Sequence, residues 1–181
     1  MSTRAHTASG EANPLQVGLV SADQHGTLVD LLCELHAYYN KTSEVTRSVV
    51  SMHLHENLLS SNSPLRLFTA ARPDRGVIGF AAVALLYSLV EPAPDKRRQC
   101  LLKELFVTAS ERSHGVGRAL MGCVARYAVQ HDCCRIDWPV NAANAVGINF
   151  YEGLGAEHIP ERLSYRLSRA NMDRLAQRVD R

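Results

Sequence analysis

Two arginines and two glycines fall in one short run, Arg112-Ser113-His114-Gly115-Val116-Gly117-Arg118, directly after the apolar stretch Leu105-Phe106-Val107. An apolar stretch that turns at glycines into a helical pattern is a strand passing into a helix N-terminus. There, successive backbone amides are not yet committed to the helix and can surround an anion. Gly115 and Gly117 put no side chain in the way, and Arg112 and Arg118 oppose the helix dipole unless an anion lies between them. Taken alone, the residues also allow a glycine turn flanked by two solvated arginines. A dinucleotide loop is excluded because Leu120 stands where its third glycine belongs, and a Walker loop because no Gly-Lys-Ser/Thr is present.

A second constellation lies downstream, from Trp138 through Asn144 and Ile148-Asn149-Phe150-Tyr151 to Leu154-Gly155-Ala156. Its pattern is an asparagine, seven residues to a tyrosine, then Leu-Gly-Ala. Arg-x-x-Gly-x-Gly after a strand resembles the coenzyme A pyrophosphate loop of the GNAT superfamily of N-acetyltransferases, and the downstream pattern resembles that superfamily's second motif. The two occur in the right order, and the resemblance runs from about Leu15 through nearly the whole chain. Leu31-Leu32-Cys33-Glu34-Leu35-His36-Ala37-Tyr38-Tyr39, the Ile148 to Tyr151 run and the terminal helical pattern are similar to the diamine and polyamine branch, typified by spermidine/spermine N-acetyltransferase.

The resemblance implies direct transfer of an acetyl group from acetyl-CoA to a primary amine, with no metal. Backbone groups of Leu105, Phe106 and Val107 would hold the pantetheine arm as an extra strand. Arg112 and the amides of Ser113, His114, Gly115, Val116, Gly117 and Arg118 would hold the pyrophosphate, and Asn144 would bind the cofactor. Tyr151 would protonate the departing thiolate as general acid. A core aromatic is the other reading of Tyr151, but Phe150 sits about 100° away on the same helix and is the better core candidate.

An alkylamine acceptor resembles lysine, with a pKa of about 10.4, so it must lose a proton before it attacks. The polyamine branch carries a Glu-Asp pair on the strand entering the first motif, where this chain has Lys103-Glu104. Glu104 is the candidate base, although strand alternation points it away from the Lys103 face unless a bulge intervenes. Deprotonation through ordered water, helped by Glu34 or His36, is equally open. Lys103 would repel a polycation and favour an acceptor that carries a carboxylate, such as an amino acid. Ser113 also departs from the family pattern, which has glycine after the arginine.

These groups need a frame to hold them. Leu15 to Val20 reads as a strand; Leu28, Leu31, Leu32 and Leu35 mark a helix capped by Asp23, and Val45, Val49, Met52 and Leu58 mark a second after Ser43. Leu65 to Ala71 and Val77 to Leu89 read as strands joined by the turn Arg72-Pro73-Asp74-Arg75-Gly76. Cys100 to Thr108 is a further strand beyond the solvated Lys96-Arg97-Arg98 loop. Leu120, Met121, Val124 and Ala128 line one face of a helix that ends near His131 and Asp132. Cys134 to Val140 is a strand with Cys133 and Cys134 as packing residues, Asn144 to Glu152 a helix, Leu163 to Leu167 a last strand, and Met172, Leu175, Ala176 and Val179 a terminal amphipathic helix. The crossover from Leu101 through a helix to Ile136 makes those two strands parallel. The expected fold is therefore α/β: one domain over residues 14–181 behind a flexible tail at 1–13, GNAT-like. Its mixed, mostly antiparallel sheet has a splayed parallel central pair and flanking helices.

Composition agrees with this reading. Over 181 residues, 20 Lys+Arg against 18 Asp+Glu give a net charge of +2, and 46% of residues are hydrophobic. That balance offers no basic face for nucleic acid. The apolar run Val77 to Val90 is too short for a membrane span and is broken by Gly79 and Ser88. Five cysteines without regular spacing fit a reduced, cytoplasmic setting. His53 and His55 would splay apart on a helix, which disfavours a metal site. The expected partners are a small-molecule amine and a second copy in a homodimer. Acetylation of a protein amine, or a CoA-binding sensor without catalysis, are the alternatives.

Overall fold

The computed structural model describes residues 14–41 and 44–179; the expected tail at 1–13 lies outside them. The chain separates into two compact units at Trp138/Pro139.

The first unit is built on a five-stranded sheet in sequential order: β1 (Gln16–Leu19), β2 (Leu65–Arg72), β3 (Gly76–Tyr87), β4 (Arg98–Val107) and β5 (Ile136–Asp137). Neighbours are antiparallel except the last pair, where Cys100 and Leu101 of β4 run parallel to Ile136 and Asp137 of β5. Helix α1 (His25–Tyr39) and helix α2 (Arg47–His53) belong to one layer, and helix α3 (Val116–Gln130) supplies the crossover. Leu28, Leu31, Val50 and Leu54 pack with Leu67, Phe80, Ala82 and Phe106. Each such fully buried side chain contributes about 1.5–3 kcal/mol of transfer free energy. On α3, Leu120, Met121, Val124 and Ala128 are buried as their spacing predicts, and Val116 is buried with them. Its approach is close: a Cβ on Gly79 of β3 would lie 3.2 Å from Leu120 Cδ1 and 3.1 Å from Phe106 O, so a larger residue there would crowd α3 and the β4 backbone.

Several boundaries differ from the sequence expectation. The turn before α1 is opened not by Asp23 but by Ser21, whose amide donates to Gln24 Oε1 at 3.1 Å, with Asp23 inside the short 3-10 turn Ala22–Gln24. Thr46 caps α2, and the π-turn Leu54–Leu58 that follows rotates the register. Val50 and Leu54, one α-helical turn apart, are buried, while Val49 and Met52 are exposed. β3 ends at Tyr87 because the Ser88 hydroxyl accepts from the amides of Val90 and Glu91 and turns the chain outward, leaving Leu89 in solvent. β5 is two residues rather than seven. Asp132, in left-handed backbone, turns the chain just before it, and Pro139, with no amide proton, stands just beyond it. Cys133 and Cys134 fall in that turn; Cys133 is half-buried, whereas Cys134 is exposed and is not the packing residue expected. Arg98 is part of β4, with its guanidinium 5.2 Å from the centre of the Tyr87 ring and donating to His131 O.

The second unit contains helix α4 (Ala145–Glu152) and helix α5 (Arg169–Val179). The expected strand at Leu163 to Leu167 is absent; Leu163, Tyr165 and Leu167 are exposed on irregular backbone. A strand exists only through a ladder partner, and among the described residues of this unit there is no other strand. Met172 and Leu175 of α5 are exposed as well. No helix among the described residues is long and apolar enough to cross a membrane.

Candidate active site

β4 is the strand on which the candidate groups of the first unit are strung. Thr108 N donates to Ile78 O at 3.0 Å, so alternation directs the backbone of Phe106 and Thr108 at β3 and that of Leu105 and Val107 the other way. On that other side β5 pairs only with Cys100 and Leu101. The parallel pair thus separates after Leu101, so β5 does not reach the outward backbone groups of Leu105 and Val107, where Arg112 Nε donates to Val107 O and the Leu105 amide serves the Glu104 carboxylate. An extended chain of peptide-like amides can dock there as a further strand. Phe106 is buried and packs on Phe80, anchoring the strand without filling the edge.

Beyond β4 the chain makes the 3-10 turn Ala109–Glu111, then the loop Arg112 to Gly115, and enters α3. Ser113 (φ 62°) and Gly115 (φ 81°) both occupy left-handed backbone. For glycine this costs nothing; for serine it costs on the order of 1 kcal/mol, the kind of strain found where a loop is shaped for a ligand. Ala119 N closes the first helical bond on Gly115 O at 2.9 Å, so the amides of Val116, Gly117 and Arg118 precede the ladder. Val116 is buried and pins the loop, whereas Ser113, His114 and Gly115 are exposed, and a Cβ on Gly115 would meet nothing within 4 Å. Arg112 turns back over the strand end: its Nε donates to Val107 O at 3.0 Å and its guanidinium lies 5.6 Å from the rings of Tyr38 and Phe106. Exposed amides, left-handed turns and an uncovered strand edge in one continuous segment fit a cofactor with a peptide-like arm and a diphosphate.

Glu104 is placed by a bulge. Ala82 opposes Glu104 and Val83 opposes Leu102, so Lys103 is an inserted residue in β4. Directly opposed residues share a face. Glu104 therefore joins Ala82 on the α1 side, whereas Leu102, two residues earlier, joins Val83 on the other. Lys103 is exposed. The Tyr39 hydroxyl donates to Glu104 Oε1 at 3.3 Å. Burial pushes the Glu104 carboxyl above the usual carboxylate range, against the Tyr39 hydroxyl, the Leu105 amide and the Lys103 charge. Tyr39 is raised too, by burial first and by the Glu104 charge next.

The other acids considered as a base are placed differently. Glu34 is a structural carboxylate: it accepts from Thr108 Oγ1 at 2.8 Å and from Ala109 N at 3.3 Å. His36 Nδ1 lies 3.4 Å from Asn40 Nδ2. In the second unit, Asn144 is the N-cap of α4, its Oδ1 accepting from Gly147 N at 3.0 Å. Tyr151 lies on the same helix with its ring 5.2 Å from Phe150, and both residues are partly buried, so burial does not single out Phe150 as the core aromatic of the two. The roles of Tyr39, Thr108 and Glu111 are not legible in the sequence, because each one's partner is distant along the chain.

Comparison with known proteins agrees with the motifs. The model of the acetyltransferase (GNAT) family matches residues 32–156, spanning both constellations. An integron cassette protein from the mobile metagenome of V. cholerae superposes with a TM-score of 0.80 at 29% identity, covering 90% of this chain and 98% of that one. An aminoglycoside acetyltransferase from an uncultured soil sample, solved with sisomicin, shares the fold at TM-score 0.67 and 16% identity over 85% of this chain and 97% of that one. AAC(6′)-Iy, solved with a CoA-containing bisubstrate analogue, does so at 0.65 and 20%, over 86% and 99%. L-ornithine N5-acetyltransferase of Arabidopsis thaliana is 35% identical over 80 residues, 44% of this chain, and the match spans only a third of that curated relative. The mixed sheet with its one parallel pair and flanking helices is the GNAT-like fold, and GNAT enzymes use acetyl-CoA. This chain belongs to the acetyltransferase (GNAT) family.

Proposed function

We propose that this enzyme transfers the acetyl group of acetyl-CoA directly to a primary amine of a small molecule: a diamine, a polyamine or, as the reading we favour, an amino acid with a side-chain amine. The observation that carries the reading is the uncovered edge at Leu105 and Val107 running into the left-handed loop and the start of α3. In this reading residues 14–181 act as one catalytic domain, since the family match is continuous across Trp138.

The acceptor nitrogen attacks the thioester carbonyl, the C–S bond breaks, and acetylamine and CoA leave. Before attack the ammonium loses a proton to Glu104, directly or through water; a carboxyl raised by burial is a better match for that transfer than an ordinary one. Tyr151 gives its proton to the departing thiolate. Asn144, beside its capping bond, offers its amide to the cofactor. Arg112 and the amides of Ser113 through Arg118 take the diphosphate. Exposed Lys103, next in sequence to Glu104, supplies a cation for an acceptor carboxylate. An ornithine-like acceptor has both groups, and the curated relative acetylates ornithine. The same reading expects a cytoplasmic homodimer.

Thiol release and product mass, followed with acetyl-CoA and a panel of diamines, polyamines, amino acids and peptides, test the proposal. Turnover with amino acids above polyamines supports it, and turnover with peptides alone overturns the small-molecule assignment. Tyr151→Phe should lower the chemical rate and leave acetyl-CoA affinity almost unchanged; unaltered turnover, with chemistry limiting, removes Tyr151 from its role.

A further inference from the structure

We infer that Glu111 is a positioning residue for the phosphate end of acetyl-CoA, acting through two arginines of the β2–β3 turn. The inference rests on the reading that the loop from Arg112 to Arg118 receives those phosphates. Glu111 immediately precedes that loop, and only 8% of its side chain is exposed. A carboxylate so withdrawn from water persists only if it is paired. Arg75 donates to Glu111 Oε1, and Arg72 Nε lies 3.5 Å from Oε2. Both arginines come from the turn Arg72-Pro73-Asp74-Arg75-Gly76, remote in sequence and outside either acetyltransferase motif.

The pairing is one side of a clamp. The turn itself is tied to α1, because Val77 N donates to Thr27 Oγ1 at 3.1 Å. The same helix holds the other end of the short linking segment through Glu34, which receives Thr108 Oγ1 and Ala109 N. Thr108 to Glu111 is therefore gripped at both ends by carboxylates, one from α1 and one of its own, before the chain enters the two left-handed residues of the loop. Apolar contacts would hold such a segment as firmly, since a buried ion pair is a poor source of stability compared with good packing. What the ion pairs add is direction: Oε1 and Oε2 of one carboxylate address two different arginines, which sets the orientation from which Arg112 to Gly115 start. A diphosphate held by several amides at once is sensitive to that orientation, and displacement by about 1 Å can cost on the order of 10²-fold in such sites.

The test compares two thioesters, acetyl-CoA and S-acetylpantetheine, which lacks the phosphates. Glu111→Gln should weaken acetyl-CoA binding by roughly 10-fold or more, with S-acetylpantetheine binding and kcat at saturating acetyl-CoA both held within about 2-fold. Arg75→Ala, at a half-exposed position, should give a smaller loss of the same selectivity even where Glu111→Gln folds poorly, and Arg75→Lys should recover part of it. Equal weakening of both thioesters, or no weakening of acetyl-CoA in the variants, overturns the positioning role and leaves Glu111 a fold staple. If the wild type itself binds the two thioesters equally, the phosphate loop is misassigned and the inference falls with it.

Discussion

Tyr39, the last residue of α1, donates its hydroxyl to Glu104 Oε1 at 3.3 Å, joining two side chains 65 residues apart on the face to which the Lys103 bulge turns Glu104. As the hydrogen bond favours the ionised carboxylate while burial opposes it, the pair sets the pH at which Glu104 can accept a proton. Glu104→Gln should lower kcat/KM by about 10²-fold. In the wild type the acid limb of kcat/KM should lie above the ordinary carboxylate range. Tyr39→Phe removes the stabilising donor and should move that limb to higher pH. A pH profile of each variant measures both effects, and an unmoved limb in Tyr39→Phe separates the hydrogen bond from the titration.

The same carboxyl should make stability depend on pH. Its folded value is raised, so the folded protein holds the proton more tightly than the unfolded chain. The stability this contributes is present below the unfolded pKa and is lost as pH rises through the raised folded value. Glu104→Gln has no charge to bury at any pH. It should therefore melt above the wild type at about pH 8 and lose the advantage at about pH 4, as paired thermal melts would record.

Asn144 has two tasks that substitution can separate. Its Oδ1 caps α4 through the Gly147 amide, so Asn144→Ala should cost about 1 kcal/mol in a urea titration. Asn144→Asp keeps an oxygen for the cap and should be nearly as stable as the wild type. If the carboxamide also serves the cofactor, both variants should bind acetyl-CoA more weakly by calorimetry. Loss in the alanine variant alone would assign Asn144 to the cap.

Ser113 holds a φ of 62° where the family pattern has glycine. Ser113→Gly relieves that backbone but gives the unfolded chain more freedom, so the net gain should be at most about 1 kcal/mol. Thermal melts measure the gain. The acetyl-CoA Kd of the same variant reports whether the serine hydroxyl adds to what the amide provides; an unchanged value leaves the amide alone as the ligand.

Much of this architecture was legible without coordinates because it is local. Alternating and helical periodicities marked β2, β3, β4, α1 and α3, and the crossover required β4 and β5 to be parallel. Arg-x-x-Gly-x-Gly placed the loop where backbone φ turns positive, since glycine spacing is a statement about nearby backbone. The same local logic misread Leu163 to Leu167, whose alternation describes a strand only when another strand lies beside it. It also misjudged Val49 and Met52, because apolar residues stand on both faces of the short α2 and the buried stripe runs through Val50 and Leu54 instead. The orientation of Glu104 hung on a single inserted residue in a ladder, and periodicity within β4 could not reveal a register set by β3. The partners of Glu104 and Glu111 were equally out of reach: Tyr39, Arg72 and Arg75 look in sequence like a helix end and a charged turn. Sequence determined which backbone could bind an anion and which residue types could move a proton, because those depend on neighbours along the chain. Tertiary structure decided which carboxylate was buried, what it was paired with and which way it faced, because burial and pairing depend on segments that meet only when the sheet and its helices close.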